Sequence, residues 1–254
     1  MIYHFSKHTG EPVLFLHGFL EQSSMFTKLI EHLETFHCIV PDLPGHGKST
    51  SQSEFSMKAM AKSVIELLEH LNINQVNVVG HSMGAYVAME MVRIAPEKIK
   101  SMLFFQSTAG ADSPELKIRR DRSVEAINQN KALYLRTVIN GLFARETKDQ
   151  FQSQIDSLVE GVLNMDEKAI IGATLGMKNR QDSRELMRDL NVPVGYFLGA
   201  KDPVLPKQKM LDEMALVRPD NYFVDPLMGH MAHVEAPDLA KNYLKMWLES
   251  SAQS

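Results

Sequence analysis

A single serine stands between glycines in GHSMG, Gly80 to Gly84, after a β-branched run and before the apolar segment Ala85 to Met91. Such a hydroxyl becomes a nucleophile when a sharp strand-to-helix turn lifts it above a sheet, at the positive end of the following helix. The glycines meet the steric condition, since strand and helix close on each other only where side chains vanish. Composition alone gives about 0.06 chance matches to G-x-S-x-G in a chain of this size. Ser82 is therefore the expected nucleophile.

A hydroxyl is a weak nucleophile at neutral pH and needs a base, itself oriented by a carboxylate. Only two histidines lie downstream of Ser82, His230 and His233, both in LMGHMAHVEAP. His230 follows Gly229 in a loop position and is the expected base. His233 is the fallback, expected to face the start of the final helix. Asp202, in LGAKDPVLP, follows an apolar strand and is the expected acid, although Asp-Pro is also ordinary turn chemistry.

The oxyanion formed on attack needs two backbone N–H donors. Met83, next after the nucleophile, supplies one. HGF supplies the other: Gly18 lets the chain turn and leaves the Phe19 N–H facing the site, while His17 reads as structural. Met83 and Met231 are expected to border the pocket. KIRRDR, Lys117 to Arg122, reads as a solvated helix face. Its sharper alternative is recognition of an anionic substrate group by Arg119, Arg120 or Arg122.

These residues need a frame. Short apolar runs at Pro12 to Phe19, His37 to Leu43, Gln75 to Gly80, Lys100 to Gln106 and Val192 to Gly199 read as doubly buried strands, with a weaker one at Asn221 to Leu227. Met57, Met60, Ala61, Val64, Leu68 and Leu71 keep helical spacing, as do Ala240, Tyr243, Leu244 and Trp247 behind Pro237. VPDLPGHGKS lacks the phosphate-loop spacing and reads as a strand and a tight turn at Gly45 and Gly47. Alternation predicts an α/β fold with a mostly parallel, doubly wound sheet. From Asp112 to Asp189 the chain is polar and helix-prone, which predicts a helical cap insertion over 112–189 in a single domain whose core is 1–111 and 190–254.

The 254 residues carry 27 basic and 31 acidic side chains, a net −4 that offers no footprint for nucleic acid. One cysteine, no apolar run long enough to span a bilayer and an N-terminus unlike a signal peptide predict a cytoplasmic protein. No metal-ligand spacing occurs among the ten histidines, and the expected chemistry needs no cofactor.

FLHGF, PDLPGHGKS, VVGHSMG, GAKD and GHMAHVEAP occur in the order of the α/β-hydrolase superfamily, which the chain resembles over nearly its whole length outside 112–189. The resemblance implies Ser82, Asp202 and His230 as triad and the Phe19 and Met83 amides as oxyanion hole. Only Ile2 to Ser6 precede the HTGEP turn, so the superfamily's first strand is expected to be absent. A serine elbow sets the chain apart from dehalogenases and epoxide hydrolases, whose elbow carries Asp. It is also similar to the menaquinone-pathway synthase, without the arginine that follows that family's elbow, and to carbon–carbon hydrolases, with Met231 where those carry Trp. The expectation is a serine esterase acting on a small or medium acyl ester. Its alternatives are carbon–carbon cleavage, enol-lactone hydrolysis or a lyase step on an anionic metabolite with the same triad, and a hydrolase-fold ligand receptor with little turnover.

Overall fold

A computed structural model describes residues 2–251. Its apolar runs become the strands β2 (Glu11–Leu16), β3 (Phe36–Pro41), β4 (Val76–His81), β5 (Ile99–Phe105), β6 (Val194–Gly199) and β7 (Asn221–Asp225). Together with β1 (His4–Lys7) they form a seven-stranded sheet in the order β1-β3-β2-β4-β5-β6-β7. Only β1 runs antiparallel, pairing His4 with Pro41 at one edge. No described strand precedes it.

Alternation along the strands divides the core in two. Leu14, Leu16, Val76, Val78, Met102, Phe104 and Tyr196 face a layer built on the helices α1 (Met57–His70), α2 (Met83–Ile94) and α7 (Lys207–Val217). Val13, Phe15, Val79, Leu103, Phe105 and Phe197 face Phe26 to Leu33 and α9 (Pro237–Ser251). Successive side chains of a strand point to opposite faces, so a strand apolar at every position must be covered twice. Ser56 caps α1 by accepting from the Ala59 N–H at 3.1 Å, and Pro237 opens α9, where its missing N–H has no intrahelical partner to lose.

Between β5 and β6 the chain forms α3 (Pro114–Asn140), α4 (Gln152–Val162), α5 (Glu167–Lys178) and α6 (Arg184–Arg188), and no described strand. α3 breaks at Asn130 (φ −158°, ψ 87°), whose side-chain oxygen caps the second half by accepting from the Leu133 N–H at 3.0 Å. A third apolar cluster joins Ile127, Leu135, Ile139, Phe143, Ile155 and Val159 of this segment to Leu20 and Met231 of the sheet domain. No described helix is long and apolar enough to cross a membrane.

Candidate active site

The turn from β4 into α2 holds Ser82 at φ 48° and ψ −115°, a left-handed conformation that a side chain adopts only under constraint. The constraint is visible. A Cβ on Gly84 would meet the Leu16 carbonyl oxygen at 2.1 Å, so glycine alone lets α2 start against the end of β2. The Ser82 carbonyl accepts from Ser107 Oγ at 2.8 Å, and its N–H donates to the Phe105 carbonyl at 3.2 Å.

The hydroxyl of half-buried Ser82 lies 2.9 Å from Nε2 of His230, and Nδ1 of that ring lies 2.7 Å from Asp202 Oδ2. The other oxygen of Asp202 accepts from the Val204 and Leu205 N–H groups at 2.7 and 2.9 Å. A carboxylate so filled leaves Oδ2 for the ring, which places the proton on Nδ1 and leaves Nε2 to accept from the serine. The three residues come from strand ends 120 and 28 positions apart and meet only because β4, β6 and β7 run parallel. The backbone around His230 is fixed as well. Glu235 accepts from the Gly229 and Met231 N–H groups at 3.0 Å each and from Ala144 at 3.1 Å, while the His230 N–H donates to the Leu142 carbonyl at 2.9 Å. Burial pushes the Glu235 carboxyl up, against the three amides that favour its charge.

Met83 is the first residue of α2, so its N–H lacks an intrahelical acceptor. Phe19 sits between Gly18 and Leu20, the latter at φ 60°. His17 is structural: Nε2 accepts from the Leu43 N–H at 2.9 Å and Nδ1 faces the Gly18 carbonyl at 2.8 Å. Met231 is buried in the cluster shared with the α3–α5 segment. Arg120 bonds to Asp112 at 3.1 Å, whose other oxygen is held by Arg180, whereas Arg119 and Arg122 are exposed on α3. No described hydrogen bond links these arginines to Ser82, His230 or Asp202.

Glu21 and His81, which motif reasoning passed over, complete the surroundings together with His233. His81, the variable residue of G-x-S-x-G, lies 2.7 Å from Glu21 through Nδ1 and 3.1 Å from the His230 carbonyl through Nε2. His233, expected against the last helix, instead packs on His81 with ring centroids 5.8 Å apart and places Nε2 3.7 Å from Glu21. It stands in α8 (Ala232–Glu235), one short turn ahead of α9, which buries it toward the elbow. A cavity of about 990 Å³ between Leu20–Lys28 and α4 includes Glu21 and His233 in its wall but neither Ser82 nor His230.

A family model described as the alpha/beta hydrolase fold matches residues 11–237. A thermophilic esterase from Thermogutta terrifontis, solved with malate bound, superposes with a TM-score of 0.91 at 28% identity, over 98% of this chain and 93% of its own. The (E)-2-((N-methylformamido)methylene)succinate hydrolase of Acinetobacter baylyi is 24% identical over 98% of this chain and 94% of its length. The magnesium-chelatase 30 kDa subunit of Rhodobacter capsulatus is 39% identical over 90 residues, 34% of this chain. The chain spans 32% and 15% of the length of two of the curated relatives it matches.

Proposed function

The chain belongs to the alpha/beta-hydrolase family, a hydrolase by fold, and on that premise we propose that it is a serine esterase for small to medium carboxylic esters. The observation that carries the reading is the unbroken chain from Ser82 Oγ through His230 to Asp202, at 2.9 and 2.7 Å, with the serine on a left-handed elbow. Similarity to the Thermogutta terrifontis esterase supports it.

In this reading Nε2 of His230 takes the Ser82 proton as Oγ attacks the ester carbonyl. Asp202 holds the ring and offsets the charge of the imidazolium that forms. The oxyanion lies against the N–H groups of Phe19 and Met83, at the positive end of α2. Collapse expels the alcohol, which carries off the proton from His230 and leaves an acyl-enzyme. Water gives a proton to His230 and attacks the acyl carbon; collapse releases the acid, and His230 returns that proton to Ser82 Oγ. Side chains and water account for every proton. The segment 112–189 acts as the cap that shapes the acyl pocket, with Met231 at its floor.

A second reading has one specific support. The Acinetobacter baylyi relative acts on a substituted succinate, and the Thermogutta terrifontis esterase was solved with a dicarboxylate. Hydrolysis of an anionic metabolite by the same triad would use Arg119, Arg120 or Arg122. A panel of p-nitrophenyl esters of neutral and carboxylate-bearing acids separates the two readings. Fluorophosphonate is expected to label Ser82, and Ser82→Ala to lose labelling and at least about 1,000-fold in turnover. Turnover retained by Ser82→Ala would end the proposal.

A further inference from the structure

Both ring nitrogens of His81 face acceptors, a carboxylate oxygen on one side and a carbonyl on the other. A neutral imidazole donates from one nitrogen only, so satisfying both partners in a fully buried site takes the imidazolium. The Glu21 oxygen that meets His81 also accepts from the Gly18 N–H at 2.8 Å. Gly18 is where a side chain would intrude: its Cβ would lie 2.4 Å from that oxygen and 2.8 Å from His81 Nδ1. The pair thus touches three segments: the Gly18–Phe19 loop through Glu21, the elbow through the backbone of His81 itself, and the His230 loop through its carbonyl.

We propose that Glu21 and His81 are positioning residues, one buried carboxylate–imidazolium unit that fixes the oxyanion loop, the nucleophile elbow and the base loop relative to one another. The inference rests on the serine-hydrolase reading of Ser82 and His230. Stability alone is a poor reason for such a pair, because an apolar pair of similar volume generally serves as well or better. A shared function for three loops is a sufficient one. Burial opposes the charge on His81, but the Glu21 carboxylate and its hydrogen bond, with the His230 carbonyl, raise its pKa. Burial opposes the charge on Glu21 too, and the His81 cation beside it still brings the carboxyl down to about 2. The other titratable groups facing the pair are His230, His233, His17 and Asp202. His233 is held neutral, near 4, chiefly by burial. A metal ion is a poorer fit than a proton. Ligand bonds of about 2 Å each place two donors farther apart than the 2.7 Å between His81 and Glu21.

The pair lies directly against the proposed base: the ring centroid of His230 is 5.2 Å from that of His81. Glu21→Gln keeps a hydrogen-bond partner for His81 and removes the charge. It is expected to lower kcat by about 10- to 100-fold with KM within about twofold. A folded Glu21→Gln with wild-type kcat would overturn the proposal, as would a loss confined to KM. Histidine-labelled wild-type protein gives an arm that needs no variant: the nitrogen shifts of His81 are expected to report both nitrogens protonated at pH 7, and a neutral His81 would overturn it. Failure of the serine-hydrolase reading is distinguishable, since it shows as absent labelling of wild-type Ser82.

Discussion

Asp202 spends its two oxygens differently: Oδ1 takes the Val204 and Leu205 amides, and Oδ2 takes His230. In Asp202→Asn the amide oxygen must answer the two backbone donors, which turns the NH2 toward His230 Nδ1. That nitrogen then accepts, the ring proton moves to Nε2, and Nε2 no longer accepts from Ser82. The expected result is a loss of about 1,000- to 10,000-fold in kcat with KM nearly unchanged and the melting temperature close to wild type. Steady-state kinetics with a p-nitrophenyl ester check it; a loss under tenfold would remove Asp202 from the base's machinery. That Ser82, Asp202 and His230 would lie side by side was readable in the sequence, because each follows a strand end, where side-chain type and chain order suffice. Glu21, His81 and Glu235 were not. The contacts of His81 span 60 and 149 positions, and nothing in HGFLE marks one glutamate as the buried one.

Elements meet at glycines, and the same substitution should act with opposite sign at two of them. Gly84 starts α2 against β2, where a Cβ would sit 2.1 Å from the Leu16 carbonyl oxygen and 2.8 Å from that of His17. Both obstacles are backbone and neither can swing away. Gly161, exposed near the end of α4, has nothing within 4 Å of an added Cβ. Gly84→Ala is expected to destabilise the fold by about 3 kcal/mol or more and to displace the elbow. Gly161→Ala is expected to stabilise it by about 0.5 to 1 kcal/mol through helix propensity. Urea unfolding of both variants measures the difference, and a stable, active Gly84→Ala would contradict the steric account of the elbow. Six of the seven described strands were legible because burial on both faces leaves continuous apolar runs, and their ends fell within three residues of expectation; the edge strand β1, with no fully buried position, was not expected. α7 was harder to read, since Pro206 offers no capping side chain and charged residues interrupt its apolar face. The break of α3 was hidden too, because Asn130 stands in a polar run and acts only through its contact to Leu133.

At the scale of the whole molecule, the loops that carry the site also carry a liability in acid. His17, His46 and His233 are buried around it, and burial holds all three below the usual imidazole range, His46 to about 3 and His233 to about 4. A base with a depressed folded pKa binds its proton in the unfolded chain first. Between about 6.5 and those lower values the unfolded state therefore holds more protons, and stability falls as pH falls. Glu21 acts lower down: with its carboxyl at about 2 against an ordinary 4.5, its contribution is present above pH 4.5 and is lost on the way to 2. His81, whose pKa is raised, contributes fully below 6.5 and loses its share as pH rises through its folded value. Across the window from pH 6.5 to 4.5 these neutral histidines move the balance downward, each proton tilting stability by about 1.4 kcal/mol per pH unit. Unfolding near pH 5 is expected to take up about two to three protons from them. His46→Asn, whose amide can replace the ring's bond to the Pro44 carbonyl at 3.2 Å, removes one titrating group without charging the site. Melting temperatures from pH 7 to 4.5 should fall less steeply in that variant than in wild type. Parallel slopes would mean that His46 already binds its proton in the folded protein, and that the interior beneath these loops is wetter than this packing allows.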